Sequence, residues 1–436
     1  MDLEKDRDSK DSLPPISKET DAEKAQQPPL KSDPTVFPDG GWEAWLVVAG
    51  GWCTVTASFG WINCIGVFQE YYGSHQLSHY SPSTVAWITS VQSFMLFFWG
   101  TAAGKFVDDY GPRWPILMGS FLHIFGLMMT SISTEYYQFF LSQSICSAIG
   151  CSFIFFPTIT AAASWFLKHR ALAFGIMVSG SSMGGIYLPI MIDRLLPKVG
   201  FGWTMRITAF LLFGLLIFGN LTVKSRLPPS KRPFKFKDFV SPLAEVPFLI
   251  FTISAFFVYL GGFLPFQFLI AQAIQEGMSP TLAGYLIPIL NAGSVFGRIV
   301  PAHLGDKYGT FNVMIAFTAF GAIIDLALWL TAHGNAAIIV FAVLYGIASG
   351  CTLSILPAMV ASISDVKQLG VRTGVMYAFS STGVLVGGPI AGAIVAAQGG
   401  GYSGLKIFAG VTWFVGVVFA IFSRTAQIGW KIKAKV

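Results

Sequence analysis

Charge is what this chain has least of. Only 11% of its 436 residues are Asp, Glu, Lys or Arg, against roughly 25% in a soluble domain. Residues 1–41 take ten of the 22 acids, from Asp2 to Asp39, so the remaining 395 residues hold twelve. So few charges cannot clothe the surface of a water-soluble fold that large, and lipid must solvate most of the chain. Cysteine is scarce too: Cys53, Cys64, Cys146, Cys151 and Cys351 all fall within apolar runs, without disulfide or metal spacing, and read as packing residues. There is no Gly-rich phosphate loop, His/Cys cluster or nucleophile–base arrangement, which argues against an enzyme or an ATP-driven pump and predicts no metal and no cofactor. The basic residues lie between apolar runs rather than in a continuous patch, so nucleic acid is not an expected partner.

What is present is a regular series of apolar runs. They span 44–70, 84–105, 115–133, 137–163, 170–191 and 204–223, then 246–271, 281–303, 312–332, 336–361, 373–397 and 405–423. Each is long enough to cross about 30 Å of hydrocarbon at about 1.5 Å per residue. The expected fold is an all-α membrane protein of twelve transmembrane helices in two six-helix halves. Residues 1–41 read as a disordered N-tail without a cleavable leader, 42–223 as the first half, 224–245 as a Pro-rich basic central loop, 246–423 as the second half and 424–436 as a C-tail.

Orientation follows from the cations. Of the 28 Lys and Arg, 23 fall on the side of the two tails and the central loop, and four fall opposite: Arg194, Lys198, Arg206 and Lys406. The positive-inside rule then puts both termini in the cytoplasm. The expected destination is the plasma membrane, with an internal membrane such as the vacuole as the alternative.

The halves repeat one another. Gly150-Cys151-Ser152-x-x-x-Phe156-Pro157 matches Gly350-Cys351-Thr352-x-x-x-Leu356-Pro357. Asp108-Asp109-Tyr110-Gly111 matches Asp306-Lys307-Tyr308-Gly309, and Arg170 with Gly184-Gly185 matches Arg372 with Gly387-Gly388. Nearly constant offsets point to parallel repeats that rock about a central site. Pro157 and Pro357 are expected to kink their helices.

The loop Gly104-Lys105-Phe106-Val107-Asp108-Asp109-Tyr110-Gly111-Pro112-Arg113 resembles the signature loop of the major facilitator superfamily, with Asp109 in place of the usual basic residue. Gly104 would permit close helix approach and Gly111 a tight turn, while Asp108 would accept from a helix N-terminus or pair with Arg113. With Asp306, Gly309 and Arg170, these residues form a candidate latch between the halves; the plainer alternative is a turn that only fixes topology.

Pro38-Asp39-Gly40-Gly41-Trp42-Glu43-Ala44-Trp45 and Trp165-Phe166-Leu167-Lys168-His169-Arg170 resemble the two signatures of the monocarboxylate transporter family, in its fungal branch. The resemblance covers 38 to about 424 and implies alternating-access transport of a small organic solute, a monocarboxylate or related anion, with a proton as the co-transported ion. Asn63 and Ser294 stand where that family's proton-coupled members carry a lysine and an aspartate, and Arg298 is retained. Arg298, Asn291 and Ser294 share one face of a helix and, with Asn63 and Tyr377, are candidate substrate contacts. Asp325, deep in an apolar run, is a candidate proton site, or simply an acid near a hydrated face. The alternatives are an exporter of a fungal secondary metabolite without the usual coupling charges, and a solute sensor that transports little.

Overall fold

The structure is a computed structural model, and it describes residues 37–80, 82–229, 236–364 and 368–430. The expected disorder of the N-tail falls on 1–36, outside the described residues, as do Lys231, Arg232, Lys235 and Lys367 and the end of the C-tail. The described chain from Pro38 onward forms one compact unit.

Among the described residues twelve long helices follow in chain order, with the short pieces Phe236–Val240 and Ser241–Ala244 between the halves. In the first half they are α1 (Trp42–Ser74), α2 (Thr84–Tyr110), α3 (Arg113–Thr130), α4 (Tyr136–Ala163), α5 (170–199) and α6 (201–222). In the second they are α7 (Val246–Gln275), α8 (Pro280–Tyr308), α9 (Thr310–Trp329), α10 (Asn335–Ser362), α11 (Leu369–Ala397) and α12 (Ser403–Ile428). Helices α5 and α6 run on from one another with a sharp break at Gly200 (φ 74°), a left-handed conformation that glycine adopts without steric cost. Several helices are discontinuous. α1 breaks at Asn63–Cys64 and α7 at Phe263, so each presents loose backbone groups midway along its length.

Pro157 and Pro357 both lie inside segments that stay α-helical through them. The irregularity of α4 is instead a π-helical stretch at Phe140–Ser147, upstream of Pro157, and α9 has another at Ile324–Trp329.

Apolar residues fill the interior, while large side chains such as Phe210, Leu221, Phe296 and Phe414 face outward. That is the pattern of helices solvated by hydrocarbon, where an exposed Phe costs nothing. The start of α1, the 4–5 and 8–9 connections and the end of α12 meet on one face, the terminal face. The opposite, far face carries the 1–2, 5–6 and 7–8 connections.

Candidate functional site

On the terminal face the halves are joined by two related sets of contacts. The start of α5 leaves amides without intrahelical partners, and Asp306 at the end of α8 accepts from two of them, Ala171 N at 2.9 Å and Leu172 N at 2.8 Å. On the other side of the interface, Asp108 at the end of α2 accepts from Val371 N at the start of α11, at 3.2 Å. Backbone proximity makes these contacts possible. A Cβ on Gly104 would lie 2.1 Å from the Gly370 carbonyl oxygen, and one on Gly175 would lie 2.3 Å from the Arg298 carbonyl oxygen.

Each helix start is further fastened within its own half. Asp39, at a left-handed φ of 52°, accepts from Leu167 N and Lys168 N at 2.6 Å each. The two motifs that resemble family signatures are therefore one contact in space. Arg170 is buried, with Nε donating to Phe166 O at 2.8 Å. Its repeat mate Arg372 pairs with Glu245.

Arg113 corrects the sequence reading. It is exposed, forms no ion pair among the described residues, and does not reach Asp108, because the turn at Gly111 (φ 78°) directs it away. Asp109 instead pairs with Lys105 one turn earlier on α2, which accounts for an acid at a position where the signature loop has a base. Gly309 takes the matching positive φ of 97°.

Midway through the bundle, Arg298 is 2% exposed. Its Nε donates to Ser182 Oγ of α5 at 2.7 Å and to Ser294 Oγ at 3.2 Å, and Ser182 donates to Ser294 at 3.0 Å. Nη1 has no hydrogen-bond partner, and no acid among the described residues pairs with the guanidinium. Asn291 donates to Ile287 O and leaves its Oδ1 without a partner. The predicted polar stripe of Asn291, Ser294 and Arg298 is thus real, and it faces α5 across the boundary between the halves.

Beside Arg298 lies a layer of rings. Tyr377 stacks on Phe97 (5.5 Å, 5° between planes), and Tyr259 meets Phe97 edge-on at 5.2 Å. Phe155 and Phe156 of α4 pack edge-on against Tyr377, and Phe263 joins through Tyr259 at 5.7 Å. Beyond this layer a cavity of about 470 Å³ lies between α1, α2, α7 and α8 toward the far face. Asn63, Ser93, Phe263, Phe266 and Gln267 line it. Asn63 also donates to Ser181 O at 3.0 Å.

Of the predicted contacts, Asn63 alone lines this cavity; Arg298, Asn291, Ser294 and Tyr377 lie buried outside it, and Asp325 lies apart in the second half. Ser182, Phe97, Phe155 and Phe263 were not singled out from the sequence, and Phe156 entered only as part of the repeat motif. The Ser181-Ser182 pair within a glycine-rich helix was the available signal for the first. Nothing in a chain with 40 Phe distinguishes the ring set.

The family model for the Major Facilitator Superfamily matches residues 50–324 and 251–435. The chain belongs to this superfamily. It is an integral, multi-pass membrane transporter. Among similar proteins, MFS-type transporter 1 of Ophiocordyceps sp. (strain BCC 1869) is 50% identical over 418 residues, covering 96% of this chain and 93% of that protein. The Fujikurins efflux protein of Gibberella fujikuroi is 40% identical over 388 residues, covering 89% and 83%. The solved structure of the superfamily transporter FucP in its outward conformation aligns with a TM-score of 0.68 at 15% identity, covering 87% of this transporter and 98% of that chain. This last likeness concerns the fold alone.

Proposed function

We propose that this transporter exports a hydrophobic organic acid, a fungal secondary metabolite, by rocking its halves about Arg298. The carrying observation is a fully buried guanidinium that has no acidic partner among the described residues, keeps one nitrogen unbonded, and sits beside a layer of aromatic rings. A cation in such a place is costly unless function retains it. Guanidinium and ring faces together suit a planar, delocalised anion, held by bidentate hydrogen bonds and stacking. The cavity is in the ordinary size range of small-molecule sites, roughly 300–1,000 Å³. The relative named as an efflux protein supports the direction of transport.

In this reading the terminal face is cytoplasmic, as the distribution of Lys and Arg favours, and the plasma membrane is the expected location. The Asp306 and Asp108 contacts then act as the latch that closes the cytoplasmic side while the cavity faces out.

A second reading, carriage of small monocarboxylates, draws on the Asp39 contact between the two signature-like motifs. Against it stand Asn63 and Ser294, where coupling charges would be needed.

Counterflow in proteoliposomes separates these readings, with labelled lactate, a labelled large aromatic acid and a neutral aromatic of the same size as probes. Exchange of the aromatic acid without lactate supports the export reading. Exchange of lactate alone supports the second. Exchange of only the neutral compound overturns both.

A further inference from the structure

Asp325 is fully buried in the π-helical turn Ile324–Trp329 of α9, and neither carboxylate oxygen has a hydrogen-bond partner among the described residues. The repeat gives it a counterpart. Gly119-x-x-x-His123 in α3 and Gly321-x-x-x-Asp325 in α9 are 202 residues apart, close to the offset of the other paired motifs. At the first-half position one ring nitrogen is bonded and the other is not: His123 Nδ1 lies 2.9 Å from Ser147 Oγ and 3.3 Å from Cys151 Sγ, while Nε2 has no hydrogen-bond partner among the described residues. In the second half the fold holds an acid neither of whose oxygens is bonded among the described residues. A buried, unpaired carboxyl within the membrane is costly, and structural packing alone does not require one.

The surroundings of Asp325 connect it to the cavity. On α12, a Cβ at Gly410 would come within 3.1 Å of Asp325 Cβ, so that helix packs directly on the carboxyl-bearing residue. On α10, Tyr345 packs against Trp413 at 5.4 Å, and Trp413 in turn lies against Gly321, one turn before Asp325 on α9, where a Cβ would meet its ring at 2.0 Å. The Tyr345 hydroxyl donates to Gly262 O at 2.7 Å. That carbonyl ends the first segment of α7, Val246–Gly262, where intrahelical partners run out. Phe263 follows at the break, and Phe263, Phe266, Gln267, Ile270 and Ile274 of the outer segment line the cavity wall.

We propose that Asp325 is a proton-binding site that governs the α7 hinge through Tyr345. With the carboxyl protonated, the Tyr345 hydroxyl stays on the Gly262 carbonyl and the hinge is held. When the proton leaves, the carboxylate competes for that hydroxyl as a charged and therefore stronger acceptor. Gly262 O is released, and Leu264–Gln275 is free to swing over the cavity.

Other ionisable groups near this region are already committed. Lys406, one turn beyond Gly410 on α12, pairs with Glu276 at 3.4 Å, and His333 Nδ1 lies 3.3 Å from the same carboxylate. Partial burial opposes it, but Gln272, Lys406 and His333 hold the Glu276 carboxyl below the usual range. Gln272 links Glu276 (2.7 Å) to Trp329 Nε1 (3.3 Å), so a file of polar groups runs from the far face to a point one turn from Asp325.

The test needs no substrate. Spin labels at Ile274→Cys on α7 and Tyr80→Cys on the opposing wall report the cavity mouth, with the half-buried Cys53 and Cys146 changed to Ala. Distances are measured for the full chain in lipid nanodiscs, in acid and alkaline buffer. The expected result is a pH-dependent shift that Asp325→Asn abolishes, with the acid distribution retained throughout, and that Asp325→Glu restores. Tyr345→Phe abolishes the shift while an infrared carboxyl band still titrates. A normal pH response in either Asp325→Asn or Tyr345→Phe overturns the proposal. Should Asp325→Asn not fold, Tyr345→Phe decides alone.

Discussion

The carboxylate of Asp306 caps the backbone of Ala171 across the boundary between the halves, at 2.9 Å, and takes the Leu172 amide as well. The two residues are 135 positions apart, and in the proposed latch the contact breaks when the terminal face opens. Removing a helix cap costs roughly 1 kcal/mol, about fivefold in a two-state ratio. Asp306→Ala is therefore expected to shift the transporter toward opening on this face by about that factor. Spin labels at the exposed positions Leu167 and Tyr308 would read it as a growing long-distance population.

Gly104→Ala has a harsher expected outcome. Its Cβ would meet the Gly370 carbonyl oxygen at 2.1 Å, a backbone overlap that no rotamer relieves. The halves cannot close on the terminal face, so transport should fall to background while the protein still inserts. Gly214→Ala, with nothing within 4 Å, is the matched control and should gain slightly in helix stability, by roughly 0.5–1 kcal/mol.

Arg298→Gln should lose transport of the aromatic acid yet keep or raise the thermal midpoint. Removing an unpaired buried charge relieves a desolvation cost, and Gln can still bond Ser182 or Ser294. Arg298→Lys should not restore transport, because an ammonium lacks the planar fork. Full transport by Arg298→Gln would remove the anion-clamp role.

Asp39→Ala acts within one half. It frees the Leu167 and Lys168 amides, and roughly 1–2 kcal/mol of stability should be lost, visible as a lower unfolding midpoint in detergent. The Leu167–Tyr308 label distance should be unchanged, unlike that of Asp306→Ala.

Arg113→Ala should change neither stability nor transport by more than assay error, since the side chain is exposed and unpaired among the described residues. Loss of transport in this variant would reinstate Arg113 in the latch.

The helices were legible because each must satisfy its own backbone in lipid, which makes run length and apolarity nearly sufficient evidence. The repeat was legible because paired motifs such as Asp108–Gly111 and Asp306–Gly309 kept their spacing. Breaks were harder to read. Pro157 and Pro357 lie within continuous helix, while interrupted or irregular backbone lies at Asn63–Cys64, at Phe263 just ahead of Pro265, and at the two π turns. Hydrogen bonds that a helix forgoes can be supplied by neighbours, as Tyr345 supplies Gly262, and a local pattern does not contain the neighbour.

Composition and periodicity, read along the chain, decided the solvent, the helix count, the duplication and the acids available at the start of each packed helix. Those are local or additive properties, carried by neighbouring residues and by sums. Which residues meet was decided by packing between helices far apart in sequence: Asp39 with Leu167, Ser182 with Arg298, Phe97 with Tyr377. A guanidinium's role depends on whether an acid reaches it, and that is a matter of helix-to-helix distance. For Arg298 the fold supplied two serines and a wall of rings, and no acid among the described residues.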